Sequence, residues 1–269
     1  MVCKELADYL RFLADKYENE SFFDGDPSFS LKKYSSTADT ECAAFIAAVL
    51  SFGRRDQFLK KIEYIFSLAE SYGSLSGWLK DRIYLSSFLP DDCKNNIEKK
   101  FYRFYSYADF IQLFDALSHI LQTHKTLGEF FKSRYGQSKA ANPDIHLSSV
   151  ICLCFKDCKV VPAGSTSCSN KRINMFLRWM VRTGSAVDTG LWTWYKPEDL
   201  LIPLDTHVLQ ESVNLGLIPP ESRNTLKTAV ELTNVLKEVF PNDPVRGDFA
   251  LFGLGVDKEK DKLADFPKL

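Results

Sequence analysis

Helical periodicity runs through almost the whole sequence, and this feature restricts the fold more than any other. Apolar residues recur at every third or fourth position, whereas no segment shows the sustained alternation that is typical of a half-buried strand. Leu6, Leu10, Leu13 and Tyr17 are the first such set, and they predict a helix near residues 3–19. We therefore predict an all-α protein built from many short helices.

Capping residues and helix breakers divide the rest of the chain. Ser, Thr or Asp precedes many apolar runs, and Gly or Pro follows them. Segment 145–155 is apolar enough for a buried helix, although its β-branched residues are also compatible with a strand. We predict loops at 20–37 and 136–143. The further helices are predicted from Asp39 or Thr40 to Gly53, and at 56–69, 92–104, 107–123, 127–135, 170–182, 205–216, 222–239 and 244–253, with a short one at Pro197.

Length and composition are those of a water-soluble globular protein with one or two domains. The 269 residues are 45% hydrophobic and 26% charged, and the net charge is −1, so no overall basic field indicates a nucleic-acid partner. The apolar runs are too short to cross a bilayer. The N-terminal segment carries charged residues among its apolar ones, whereas a signal peptide has an uninterrupted apolar core. We therefore expect a cytoplasmic protein whose seven cysteines are reduced.

One segment differs from this balance. Residues 156–182 carry six cations against one anion, which predicts either an electrostatic footprint for phosphates or a solvated helix face. The cations are Lys156, Lys159, Lys171, Arg172, Arg178 and Arg182.

The same segment contains a turn between two predicted helices. Val161–Ser165 reads VPAGS, and Pro with Gly164 predicts a tight connection, since glycine tolerates a positive φ. The N–H groups at the start of the following helix favour an anion, and the hydroxyls of Ser165, Ser167 and Ser169 add donors. Such a hairpin can hold a DNA phosphate, although small polar residues before a helix are also ordinary capping chemistry.

Lys171 lies in the first turn of the basic helix. The helix dipole disfavours an ammonium there, and Arg172 acts in the same direction, so the position favours the neutral amine that a lysine nucleophile needs. On this residue alone, an ordinary surface lysine is the alternative. Arg178 and Arg182 follow one turn apart and are candidates for the phosphate backbone or for solvent.

Asp205 follows an apolar segment and begins another helix, in the sequence IPLDTHV. A carboxylate held by backbone N–H groups at a helix start stays ionised, and it can accept a proton or stabilise positive charge on a sugar. The 34 residues between Lys171 and Asp205 are long enough to bring the two side chains together. Trp192 and Trp194 lie in this connection and are candidates for stacking on a base or for anchoring the loop.

The VPAGS turn, the lysine after it and the downstream IPLDTHV segment together resemble the helix-hairpin-helix superfamily of DNA glycosylases and AP lyases. Within this endonuclease III group, the spacing from lysine to aspartate is most similar to the archaeal 8-oxoguanine glycosylases. The stretches KRINMFLRWMVR and DFALFGLG also resemble an uncharacterised bacterial family that carries a domain of unknown function.

The resemblance implies two helical lobes with a cleft between them, one at 40–204 and one formed by 1–39 with 205–269. It implies Lys171 as nucleophile, Asp205 as the catalytic carboxylate, and no metal or cofactor. The contacts that it implies for double-stranded DNA are Gly164, Ser165, Ser167, Arg172, Arg178, His207 and, in the gap left by an extruded base, Arg54. The expected protein is a monomeric glycosylase that removes a damaged base such as an oxidised purine, either with or without AP lyase activity. A non-catalytic DNA-binding protein and an interaction module without nucleic acid are the alternatives.

Overall fold

The computed structural model describes residues 2–21, 27–93 and 96–257, and their regular secondary structure is helical apart from one small hairpin. The all-α prediction is thereby confirmed. The α-helices are α1 (Lys4–Tyr17), α2 (Thr37–Leu50), α3 (Arg55–Glu70), α4 (Leu75–Lys80), α5 (Tyr84–Ser87), α6 (Tyr107–Thr123), α7 (Leu127–Ala141), α8 (Leu147–Cys154), α9 (Lys171–Val181), α10 (Thr206–Asn214), α11 (Leu226–Val239) and α12 (Arg246–Val256). Short 3-10 helices lie at Pro27–Lys33, Asp91–Cys93 and Pro197–Asp199, and strands β1 (Lys100–Tyr102) and β2 (Tyr105–Ser106) form the hairpin.

The chain folds as two compact units. Of the described residues, 27–93 and 96–164 form the central unit, and 2–21 together with 165–257 form the terminal unit. These boundaries differ from the predicted ones at 40 and 204, because α9 carries buried arginines that pair with acids of the terminal segments, such as Arg182 with Glu18. Residues 1, 22–26 and 258–269 of the predicted lobes and loops lie outside the described residues.

Helix α12 lies at the centre of the terminal unit, packed along α1 and against α10. Glycines make the close approach possible. A Cβ atom at Gly253 would lie 2.3 Å from Cγ of Tyr17, and one at Gly255 would lie 3.0 Å from Cβ of His207. Small residues on α12 therefore determine how closely its neighbours pack.

Substitution of Gly253 tests this packing. We expect Gly253→Ala to lower the free energy of unfolding by about 1–3 kcal/mol, because the added methyl group overlaps the ring of Tyr17. Gly136→Ala in α7 is the control: nothing lies within 4 Å of its added Cβ, so we expect it to raise stability by about 0.5–1 kcal/mol. Urea unfolding followed by circular dichroism measures both. Equal effects of the two substitutions would contradict the packing argument.

Helix α2 forms the core of the central unit, with every residue from Thr40 to Leu50 buried. One of them, Glu41, is charged, and its carboxylate accepts a hydrogen bond at 2.9 Å from the N–H of Gly128 in the first turn of α7. The positive end of a helix dipole suits a buried carboxylate, so this contact compensates a charge that would otherwise be costly.

The hairpin corrects the predicted helix at 92–104. Tertiary packing explains the difference, because Phe101 of β1 packs against Phe88 and Phe110 at ring-centroid distances of 5.1 and 4.8 Å. Arg103, at the turn, has a φ of 52°, which a helix does not allow. Two other segments are resolved as helix: 145–155 contains α8, and α7 continues to Ala141, beyond the predicted end near 135.

Among the described residues, no helix combines the length and the apolar character that crossing a bilayer requires.

Candidate active site

The amine of Lys171 and the carboxylate of Asp205 lie close together in the terminal unit. The distance between Nζ and Oδ2 is 3.6 Å, and the two side chains are 32% and 20% exposed. The connection between the two residues permits this proximity, and in the structure both groups are partly exposed. A partly exposed amine beside a carboxylate has access to a substrate and to a proton acceptor at the same place.

The start of α9 positions the lysine. Asn170 precedes the helix with a left-handed conformation, φ 54° and ψ 34°, which asparagine adopts more readily than most residues. Its side chain makes no cap, and Lys171 is the first residue of the helix, as the sequence predicted. Ile173 and Asn174 donate their backbone N–H groups to the carbonyl of Asn170. The backbone of Lys171 is therefore fixed in a helical conformation, and this fixes the point from which its side chain extends.

The start of α10 positions the aspartate. Asp205 is the N-cap, and its Oδ1 accepts a hydrogen bond from the N–H of Val208 at 2.9 Å. The approaching residues 200–204 are buried. One carboxylate oxygen is thus held by the helix, while Oδ2 faces the lysine amine.

A buried hydrogen bond joins the two helix starts. The hydroxyl of Ser169 donates to the carbonyl oxygen of Leu204 at 2.9 Å, and the side-chain amide of Asn174 donates to the carbonyl of Ser169 at the same distance. Ser169 lies two positions before Lys171, and Leu204 lies one position before Asp205. Ser169, which the sequence suggested as a phosphate donor, therefore connects the two segments inside the protein.

Arg178 is buried, which corrects its prediction as a DNA contact. Its side chain is 5% exposed, it forms an ion pair with Asp248, and its Nε donates to Asp188 at 3.2 Å. Arg182 is similarly enclosed and pairs with Asp188 and Asp243. Two of the six cations counted between residues 156 and 182 therefore neutralise internal acids and contribute nothing to a surface for phosphates.

Asp248, which no motif in the sequence indicated, is a buried acid whose charge interacts with those of Lys171 and Asp205. Burial raises the pKa of its carboxyl to about 6, although Arg178 opposes this shift, and the charges of Asp205 and Lys171 also act on it. Asp248 lies in the first turn of α12, within the stretch DFALFGLG. An acid in an otherwise apolar helix was the available signal, since buried acids are rare without a partner.

The two candidate base-stacking residues differ in access. Trp192 is 2% exposed, with its ring edge-on to Phe176 at 5.3 Å, so it belongs to the core and is not a stacking surface. The ring of Trp194 stacks on it at 5.2 Å and is partly exposed. The loop-anchoring interpretation therefore applies to Trp192, and only Trp194 keeps a face that could meet a ligand.

The VPAGS segment is not the tight turn that the sequence predicted. Helix α8 ends at Cys154 and α9 begins at Lys171, so the segment lies within a long connection, residues 155–170. Gly164 does have the expected positive φ, 71°, and a Cβ there would lie 2.6 Å from Cβ of Cys152. Ser165 and Ser167 are exposed, and their hydroxyls lie 2.8 Å apart.

The remaining predicted contacts lie in several places. Arg172 is partly exposed next to Lys171, and His207 is exposed at the start of α10, edge-on to Phe252. Arg54 belongs to the central unit, precedes α3 and forms an exposed ion pair with Asp56. Among the described residues, no group of three or more His, Cys, Asp or Glu side chains is arranged to hold a metal ion.

The fold and the site define an all-α protein in which a partly exposed lysine lies beside a helix-capping aspartate. The chain belongs to the family described as "Protein of unknown function (DUF2400)", whose profile matches residues 26–257. Comparisons with curated proteins and with solved structures found no match.

Proposed function

We propose that this protein is a DNA glycosylase with AP lyase activity, and that Lys171 and Asp205 carry out the reaction. The observation that carries the proposal is the 3.6 Å separation of an accessible amine and a helix-anchored carboxylate. The resemblance of the VPAGS and IPLDTHV segments to helix-hairpin-helix glycosylases, if it reflects common chemistry, would give these same two residues the catalytic roles. The substrate would be double-stranded DNA with a damaged base, and oxidised purines are the first class to test.

The chemistry begins with extrusion of the damaged nucleotide, which costs a few kcal/mol. Asp205 accepts a proton from the ammonium of Lys171, and the neutral amine forms a bond to C1′ of the sugar as the bond from C1′ to the base nitrogen breaks. The base leaves with the bonding electrons and takes up the proton that Asp205 accepted, directly or through water, which restores the carboxylate. The sugar ring then opens to a Schiff base on Lys171, and β-elimination cleaves the strand on the 3′ side.

Ionic groups of the same unit support this assignment. Arg178 forms buried ion pairs with Asp248 and Asp188, and the charges of Lys171 and Asp205 act on the Asp248 carboxyl. Charges that are already fixed in place stabilise developing charge without the reorganisation that solvent requires. The site would therefore act on a sugar that becomes positively charged as the base departs.

Borohydride trapping tests the proposal. We expect the wild-type protein to form a covalent adduct with duplex DNA that contains an abasic site or an oxidised guanine, and peptide mapping to place the sugar on Lys171. Lys171→Ala should form no adduct. Lys227→Ala, which removes an exposed lysine from the first turn of α11, should behave as wild type.

Two results would contradict the assignment. An adduct that persists in Lys171→Ala would exclude this amine as the nucleophile. Salt-dependent duplex binding without base release or an adduct would instead indicate a DNA-binding protein that retains the scaffold without its chemistry.

A further inference from the structure

The tip of the β-hairpin in the central unit presents an aromatic ring to solvent. Phe104 is 66% exposed, the largest value for a large hydrophobic side chain among the described residues. Its ring centroid lies 4.5 Å from that of Tyr105 and 5.5 Å from that of Phe52. Neighbouring rings therefore support Phe104 from within the fold, while most of its own surface stays open.

The hairpin is braced against the loop that precedes α3. The hydroxyl of Tyr102 donates to the carbonyl oxygen of Phe52. Gly53, with a φ of 83°, lies so close that a Cβ there would be 2.6 Å from Nη1 of Arg103. The guanidinium of Arg103 lies 5.8 Å from the centroid of the Phe52 ring. These contacts hold the exposed ring in a defined place, so it can act as a preformed surface.

Cations outnumber anions in the two segments that meet at this hairpin. Segments 52–56 and 98–106 carry five cations and two anions, and all seven side chains are exposed. The cations are Arg54, Arg55, Lys99, Lys100 and Arg103, and the anions are Asp56 and Glu98, with Arg54 paired to Asp56. An excess of exposed cations in the segments that carry an exposed ring matches a partner that offers both a planar ring and phosphate charge.

We propose that the hairpin tip binds single-stranded nucleic acid, with one unpaired base stacked on Phe104 and the backbone phosphates beside Arg103 and its neighbouring lysines. Every base has a π-face, so such stacking tolerates many sequences, and the cations supply the salt-dependent part of the affinity. A protein partner fits this surface less well, because the cores of protein interfaces are depleted of lysine and of charge in general. The proposal is independent of the glycosylase chemistry, since every residue that it uses belongs to the central unit.

Fluorescence of 2-aminopurine tests the stacking. The probe is placed within single-stranded DNA, and within RNA of the same sequence, and each is titrated with the full-length protein. We expect the wild type to quench the fluorescence, and Phe104→Ala to bind roughly 5- to 100-fold more weakly without quenching. Phe104→Trp should retain both properties. Phe104→Leu, which keeps an apolar side chain but has no ring, should resemble Phe104→Ala. A stronger effect with one strand type identifies the natural nucleic acid.

Two control variants separate stacking from loss of structure. Phe12→Ala removes another exposed phenylalanine, in α1, and should bind as the wild type does. Lys100→Gln removes an exposed cation of β1 that takes no part in bracing the hairpin, so the protein should stay folded while its affinity and the salt dependence of binding both fall.

The proposal is overturned if the wild type does not bind single strands, if Phe104→Ala binds as the wild type does, or if Phe104→Leu retains the affinity. Retention by leucine would indicate an apolar docking site for a protein. Borohydride trapping on Lys171 is a separate measurement, so its failure would leave a positive stacking result unaffected, and the reverse also holds.

Discussion

Arg182→Ala is expected to lower the free energy of unfolding by about 3–5 kcal/mol, the range for removal of one partner from a buried charge network. The side chain of Arg182 is 4% exposed and pairs with Glu18, Asp188 and Asp243 at 2.5–2.7 Å. Burial by itself lowers the pKa of Arg182, but these three acids raise it above its ordinary value, so the guanidinium is charged throughout the accessible pH range. Alanine leaves the fully buried carboxylate of Asp188 to its ion pair with Arg178.

Thermal or urea unfolding measures this loss, with Lys196→Ala as the matched control. Lys196 pairs with Glu198 at 3.0 Å, but the two side chains are 71% and 44% exposed. An exposed pair of this kind contributes about 0–1 kcal/mol. The deficit of Arg182→Ala should also shrink in acid, because burial raises the pKa of Asp188 and its protonation removes an uncompensated charge. A deficit no larger than that of the control would show that the network is not important for stability.

Asp205→Asn is expected to slow formation of the trapped adduct by about 10²- to 10⁴-fold, the usual contribution of a positioned general base. Asparagine is as good an N-cap as aspartate, so its side-chain oxygen should still accept the hydrogen bond from Val208. The substitution therefore removes the negative charge that faces Lys171 and leaves α10 in place. Single-turnover trapping gives the rate, and thermal unfolding should show little change.

Asp205→Ala separates the two roles of the carboxylate. It removes the cap as well as the charge, so it should lose about 1 kcal/mol of stability in addition to the activity. If Asp205→Asn reacted at the wild-type rate while Asp205→Ala was destabilised, Asp205 would be a capping residue alone. The mechanism would then need another proton acceptor for Lys171.

Local rules account for most of the secondary structure that could be predicted. The apolar spacing of Leu6, Leu10, Leu13 and Tyr17 predicted one face of α1, and these residues are buried. Asp205 was predicted to begin a helix with its carboxylate held by backbone N–H groups, and it is the N-cap of α10. Helix caps and apolar spacing depend on residues within about one helical turn of each other, and these neighbours can be read from the sequence. The helix ends were less exact, because packing adds or removes a turn.

Long-range contacts explain what the sequence did not predict. Arg178 and Trp192 have the residue types of a DNA surface, yet both are buried, because acids and aromatic rings from distant segments enclose them. The hairpin at Phe101 exists because its rings insert into an aromatic cluster, which overrides the local preference.

The sequence by itself determined which residues begin α9 and α10, and therefore that Lys171 and Asp205 each lie at a helix start. The tertiary structure alone decided that these two starts are neighbours. A hydrogen bond from Ser169 to Leu204 links backbone segments 35 residues apart, and no periodicity or capping rule extends over that distance.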